Sequence, residues 1–231
     1  MCGRSSGELA LNVIEILLRY RQGFADGLLV TLELAAITWA VGLCAGSITG
    51  AAAYLCPRAV GWPLRGCALF LTAVPFLVML YWAHYPLQVM LGIVIDPFIT
   101  AASLLSVIDT VLIAEIWRGA LNDFPREYVT AGRVSGMTRF EIIRFVQIPL
   151  LFRSVLPMLL ATQVAMLQLT LFASLISVEE LFRVAQRINA TIQEPIEIYT
   201  ALAAFFLVLT LPIYMVALAL RYRYTRDMSE R

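Results

Sequence analysis

Long stretches without a single charge constrain this chain more than any other feature of its sequence. Leu34 to Leu55, Gly66 to Ile95, Ser154 to Val178 and Ile198 to Leu220 contain no Asp, Glu, Lys or Arg. A helix crosses a hydrocarbon core of roughly 30 Å with about 20 apolar residues. Inside that core every backbone N–H and C=O must be satisfied within the protein, which favours helices. The runs therefore predict an all-α, polytopic membrane protein with about five transmembrane helices. The first begins near Gly27 and reaches Leu55. The second covers about Gly66–Pro86. The third, Pro97–Ile116, is interrupted only by Asp109 and Glu115. The fourth is Ser154–Val178, and the fifth is Ile198–Leu220, where Pro212 predicts a kink. Composition agrees, with 61% hydrophobic residues, 14% charged and a mean hydropathy of +0.82, whereas soluble domains carry about 25% charge.

Seventeen basic residues are present and all are arginine. Without lysine the chain cannot form a phosphate-cradling G-x-x-x-x-G-K-[ST] loop or a lysine Schiff base. A single histidine, His84, excludes a multi-histidine metal site. Cys2, Cys44, Cys56 and Cys67 show no C-x-x-C spacing and read as small hydrophobes. The net charge of +1 gives no electrostatic reason to bind nucleic acid. With no nucleophile–base pair in view, intramembrane enzyme chemistry has little support.

The arginines set the expected orientation. With five spans, Arg58, Arg65, Arg118, Arg126, Arg133, Arg139, Arg144, Arg153, Arg221, Arg223, Arg226 and Arg231 share one face, against five arginines on the other. The positive-inside rule then predicts an N-terminus outside and a C-terminus in the cytoplasm. Leu9, Val13, Ile16, Leu17 and Tyr20 recur at helical spacing, with Glu15, Arg19 and Arg21 on other faces. That pattern predicts an amphipathic helix on the membrane surface rather than a cleavable signal. The expected organisation is one transmembrane domain over 1–231: an amphipathic segment 1–26, a five-span core 27–221 and a cytoplasmic tail 222–231.

The polar stretch 125–149, PREYVTAGRVSGMTRFEIIRFVQIP, stands out between apolar segments. Pro125 suits a helix start, and Gly136 suits the left-handed position that ends one. Thr138 and Glu141 have capping-box spacing. The stretch thus predicts two short helices broken at Gly136, the second ending near Gln147. Tyr128, Ala131, Gly132 and Ser135 fall on one face, mostly small. Two readings remain open: a surface that a partner backbone approaches closely, or a surface helix whose small residues carry no role.

At these residues the chain resembles the permeases of ABC importers. Their cytoplasmic coupling loop reads E-A-A-x-x-x-G followed by I-x-L-P. Here Thr130-Ala131-Gly132 stands at E-A-A, Gly136 at the glycine and Ile148-Pro149 at L-P. Further stretches resemble the polar amino-acid subfamily of the histidine, glutamine, arginine and octopine type. Ala114-Glu115-Ile116-Trp117-Arg118-Gly119 is similar to its A-E-x-x-R-G, Arg153 to Pro157 to its L-R-x-A-L-P, and Thr170 to Leu181 to its T-S-L-x-S-x-I-x-x-x-E-L. Ala185 to Tyr199 resembles the loop before its last span. Three positions depart from the family: Thr130 replaces the loop glutamate, Leu71-Thr72-Ala73-Val74-Pro75 replaces F-R-G-T-P, and Gln168 replaces a frequent lysine. These departures suggest a divergent half of a heterodimer.

The resemblance implies a multi-pass subunit of the bacterial inner membrane that imports a polar amino acid or similar small zwitterion. It implies no catalysis and no cofactor in this chain. ATP and Mg would be bound by separate ATPase subunits that receive the coupling loop at Tyr128, Thr130, Ala131, Gly132, Arg133, Ser135, Gly136 and Met137. Further implied partners are a second permease, identical or homologous, a periplasmic or extracellular solute-binding protein, and membrane lipid. Polar positions in the spans are candidate pathway residues: Asp109, Glu115, Gln163 and Gln168. For each a structural role stands beside the functional one. Asp109 either recognises a cationic group of the solute or pairs with a polar neighbour. Glu115 pairs with Arg118 at i,i+3, and the glutamines can bond between helices. Glu179, Glu180, Arg183 and Arg187 read as a solvated face, beside the alternative that they meet the binding protein. The competing function is an ion-coupled carrier that works without an ATPase.

Overall fold

A computed structural model of the chain describes residues 6–229, with side chains described for 12–223. The described residues contain helices and no strand. Four helices are long and apolar enough to cross a membrane, or five if the broken pair Pro57–Ala73 and Phe76–Leu91 forms one span. Helix α1 (Ser6–Arg19) leads into the 35-residue α2 (Arg21–Leu55). Helix α2 stops where Cys56, the residue before Pro57, leaves helical geometry at φ −123°, ψ 70°. Proline disfavours the α region for the residue that precedes it.

The expected second span, Gly66–Pro86, is not one helix. It divides into α3 (Trp62–Ala73) and α4 (Phe76–His84), followed by the short α5 (Pro86–Leu91). Absence of charge predicted continuity, but Pro75 lacks the N–H that a helix interior needs. At φ −56°, ψ 135° it instead precedes the first turn of α4. Helix α6 (Pro97–Asn122) starts at a proline and runs past the predicted end at Ile116.

A second difference follows the polar loop. Helix α7 (Arg126–Val134) is separate, but the second short helix is not. The turn α8 (Arg139–Glu141) passes through a widened turn, Ile142–Gln147, directly into α9 (Ile148–Leu169). Pro149 cannot donate to an ordinary helical bond. The widened geometry carries the chain past it, with Ile148 N–H reaching back to Ile143 C=O. A tighter 3-10 segment, Thr170–Ile176, completes that apolar run. Helix α10 (Leu181–Ile192) and the 35-residue α11 (Pro195–Ser229) follow. Pro212 lies inside α11, and the segment set apart as a tail stays helical to Ser229.

The chain divides into two units, each built from three segments that alternate along the sequence. One contains the residues up to Trp39, Val74–Ser106 and Ala165–Pro212. Its core includes a cluster around Leu34, Leu80, Leu105 and Ile176 and another around Phe24, Leu181, Val184 and Ile198. Ile16 and Leu17 of α1, and Tyr20 just after it, pack against the second cluster. This face, expected to meet lipid, therefore meets protein. Leu9 lies outside the described side chains. The other unit contains Ala40–Ala73, Val107–Val164 and the residues from Ile213 onward. Ala53, Leu64, Val111 and Ala114 form one part of its core, and Ile113, Val155 and Leu159 another. Large apolar side chains cover the outside as well, among them Trp62, Leu69, Val208 and Ile48. Such an outer surface suits lipid and would be a liability in water.

Candidate functional site

The polar loop holds its shape through local chemistry. Gly136 takes φ 81°, the left-handed region that glycine enters without a Cβ penalty. Met137 N–H bonds Gly132 C=O, and Gly136 N–H bonds Arg133 C=O, both at 3.0 Å. This 6→1 and 5→2 pair closes the end of α7. The capping box forms as the Thr138–Glu141 spacing predicted. Glu141 N–H donates to Thr138 Oγ1 at 3.3 Å, and Thr138 N–H donates to Glu141 Oε2 at 2.7 Å.

The small residues divide between two environments. Gly132 is buried, and a Cβ there would lie 2.9 Å from Ile142 Cγ1 and 3.6 Å from Met137 Sδ. The close approach that the sequence left open for a partner is thus made at Gly132 by the same chain. Ala131 and Ser135 are exposed. Ser135 Oγ and Thr130 Oγ1 donate to the carbonyls of Ala131 (2.9 Å) and Arg126 (3.1 Å), one turn back. Tyr128 is half-buried against Phe124, with ring centroids 6.1 Å apart.

Beside α7 lies an open cleft of about 620 Å³. Arg126, Thr130 and Arg133 of α7 form one wall, and Arg139 and Ile142 another. Tyr54 near the end of α2, Asn122 at the end of α6 and Gln147 just before α9 also line it. Among the described residues no carboxylate lines the cleft.

The polar positions in the spans do not converge on one site. Asp109 is fully buried, and Gln163 nearly so. Gln163 Nε2 donates to both Asp109 carboxylate oxygens at 3.2 Å. Gly42 packs directly on the carboxylate, where a Cβ would collide with Oδ2. This is the geometry of the structural alternative for Asp109. Glu115 forms a bidentate pair with Arg118, whose Nε donates to Oε1 at 2.9 Å and whose Nη2 donates to Oε2. Gln168 is exposed on α9, apart from its neighbour Gln163.

Two features escaped the sequence reading. Gly42, Gly46 and Gly50 repeat at i, i+4, i+8 and bring α2 against α6. A Cβ at Gly46 would stand 2.7 Å from Ile113 Cβ, and one at Gly50 would stand 2.6 Å from Ala114 C=O. The repeat itself was the available signal. Glu180 was grouped with a solvated face, yet it is fully buried at the start of α10. Its oxygens accept from Phe182 N–H at 2.9 Å and Arg183 N–H at 2.7 Å, while Thr31 Oγ1 accepts from Leu181 N–H at 3.0 Å. Three otherwise unpaired donors of the helix start are satisfied in this way. Burial pushes the Glu180 carboxyl up to about 7 despite the two backbone donors, and the nearby Glu179 charge adds to the rise. The signal was a Glu just before Leu181, Val184, Ala185 and Ile188 at helical spacing. Glu179 and Arg187 are exposed and Arg183 is half-buried, with Arg187 Nη1 3.0 Å from Glu179.

Comparison with known proteins agrees with this architecture. The glutamine transport system permease protein GlnP of Escherichia coli K12 is 32% identical over 176 residues, covering 74% of this chain and 80% of GlnP. The histidine/lysine/arginine/ornithine transport system permease protein HisQ of Salmonella typhimurium is 26% identical over 210 residues, covering 87% and 92%. A chain from the crystal structure of an amino acid ABC transporter with histidines superposes with a TM-score of 0.79 at 24% identity, covering 90% of this chain and 96% of that one. At that identity the likeness is one of fold. Residues 42–229 match the family described as binding-protein-dependent transport system inner membrane component. The chain belongs to that family.

Proposed function

We propose that this chain is a permease subunit of an ATP-driven importer for a polar amino acid or similar small zwitterion, seated in a bacterial inner membrane. The observation that carries the proposal is its likeness to GlnP and HisQ over most of its length. The solute passes through the membrane-spanning helices together with those of a second permease subunit. A soluble binding protein delivers it. ATP and Mg are bound by separate ATPase subunits, in keeping with a chain that has no lysine for a phosphate-cradling loop.

Coupling runs through the 125–149 loop. Helix α7 is anchored on one side by Gly132 against Ile142, and its exposed Ala131 and Ser135 form the face that an ATPase subunit grips. The turn closed at Gly136 and capped at Thr138 joins α7 to the run that leads into α9. A displacement of α7 by the ATPase is thereby passed to a membrane-spanning segment. Asp109 with Gln163 ties α6 to α9, Glu115 with Arg118 braces one face of α6, and neither pair needs to touch solute.

The experiment is uptake of radiolabelled glutamine, histidine, arginine and cystine into liposomes that hold this chain, its ATPase subunits and the second permease, with the binding protein outside. Uptake of at least one amino acid that requires ATP supports the reading. Uptake by this chain alone under an ion gradient would overturn it and favour the carrier alternative.

A further inference from the structure

The cleft beside α7 carries charge that no described carboxylate neutralises. Arg126, Arg133 and Arg139 all line it, and all three are exposed. No ion pair joins any of them to a carboxylate among the described residues. The nearby Glu141 is engaged by the Thr138 N–H and hydroxyl. Three guanidinium groups facing one space without a carboxylate make a site for an anion with several oxygens, since each offers a planar fork of donors.

The remaining lining indicates how deep that anion sits. Tyr54 lies next to the last residue of α2, Leu121 and Asn122 end α6, and Gln147 directly precedes α9. Helices α2 and α6 therefore end at the cleft, and the run that leads into α9 passes along it. Tyrosine is enriched where a membrane meets water. Leu121, Phe124 and Val129 give the cleft apolar surface beside its arginines. A free inorganic anion has no use for such surface, whereas the glycerol and first methylenes of a phospholipid do. Basic pockets between spans at the headgroup level are a recurrent way to hold anionic lipids.

We infer that the cleft between α7, α8 and the ends of α2 and α6 binds the phosphate headgroup of an anionic phospholipid. The lipid sits against the loop proposed to couple to the ATPase, and bilayer composition therefore acts on that loop. The inference rests on the membrane-spanning assignment of α2, α6 and α9 and is independent of the solute. Its test involves no transport, so its failure is separable from failure of the proposed function.

The test is native mass spectrometry of the full-length chain in detergent, titrated with equal amounts of phosphatidylglycerol and phosphatidylcholine. We expect preferential retention of phosphatidylglycerol. Arg133→Gln should lower that preference by about fivefold, on the basis of roughly 1 kcal/mol per arginine near a membrane surface. Replacing all three arginines by glutamine should abolish it. Replacing all three by lysine should keep most of it, because charge survives, and guards against an effect of misfolding. Equal retention of the two lipids overturns the inference, as does an unchanged preference in the triple glutamine variant. Complete displacement by matched inorganic phosphate would make this a free-anion site. Displacement by an acidic peptide, with no preference between lipids, would make it a protein-docking site. Either result overturns the assignment to lipid.

Discussion

Alanine at Gly46 and alanine at Gly119 should act in opposite directions, although both replace a glycine inside a helix. A Cβ at Gly46 would lie 2.7 Å from Ile113 Cβ and 2.8 Å from Thr110 C=O. Ordinary contact begins near 3.4 Å, and a backbone carbonyl cannot rotate away as a side-chain tip can. Helix α2 must then move off α6. Overpacking of this kind costs about 1–3 kcal/mol. Alanine returns about 0.5–1 kcal/mol of helix propensity, which leaves a net loss of about 1 kcal/mol at mid-range and about 2.5 kcal/mol at most. At about 2–4 °C per kcal/mol for a chain of this size, the midpoint in detergent should fall by about 2–5 °C at mid-range and about 10 °C at most. At Gly119 a Cβ would meet nothing within 4 Å. Only the propensity gain remains there, and Gly119→Ala should raise the midpoint by about 1–4 °C. The assay is thermal unfolding followed by fluorescence-detected size exclusion. If Gly46→Ala proves as stable as the parent, the close helix contact is wrong. If both variants fall equally, the contrast drawn from packing is wrong.

Other consequences follow from single residues. Glu180 has a folded-state pKa raised from 4.5 to about 7, so its contribution to stability is fully present below about pH 4.5 and is lost as pH rises through about 7. Thermal midpoints should fall between pH 5 and pH 8 in the parent and show a flatter profile in Glu180→Gln. Gln163→Leu removes the amide that donates to both Asp109 oxygens and should destabilise the chain by about 1–3 kcal/mol. Asp109→Asn keeps a partner for that amide and should retain transport with an unchanged range of solutes. Thr138→Ala removes the capping box of an exposed turn. It should cost about 1 kcal/mol, seen as faster hydrogen exchange over 138–142.

What the sequence revealed depended on whether the physics was local. Gly136 and the Thr138–Glu141 pair were legible because a left-handed turn and a capping box are written in three or four adjacent residues. The spans were legible from their lack of charge. That signal cannot see a backbone break, and the run from Gly66 to Pro86 was therefore read through Pro75. Where charge marked a residue, its partner stayed hidden when it was distant in sequence. Gln163 is the donor to Asp109, yet the two are 54 residues apart. Glu180 was misplaced on a solvated face because charge is usually exposed, whereas burial at a helix start supplies donors that make an exception. The Gly42–Gly46–Gly50 repeat is visible in the sequence, but it lies inside an uncharged run whose apolar character alone does not mark a helix contact. Gly132 shows the limit from the other side. Sequence indicated a close contact there, and only the structure assigned that contact to Ile142 of the same chain.

The central claim is that the exposed face of α7 passes ATPase movement to the spans. Ala131→Trp tests it most directly, because Ala131 is exposed while Gly132 beside it is buried. The measurement is ATP-driven amino-acid uptake by the fully reconstituted transporter, read together with the thermal midpoint of the isolated variant chain. The account predicts an unchanged midpoint and a loss of most uptake, with less ATPase subunit retained on purification. Full ATP-driven uptake with Ala131→Trp would contradict it.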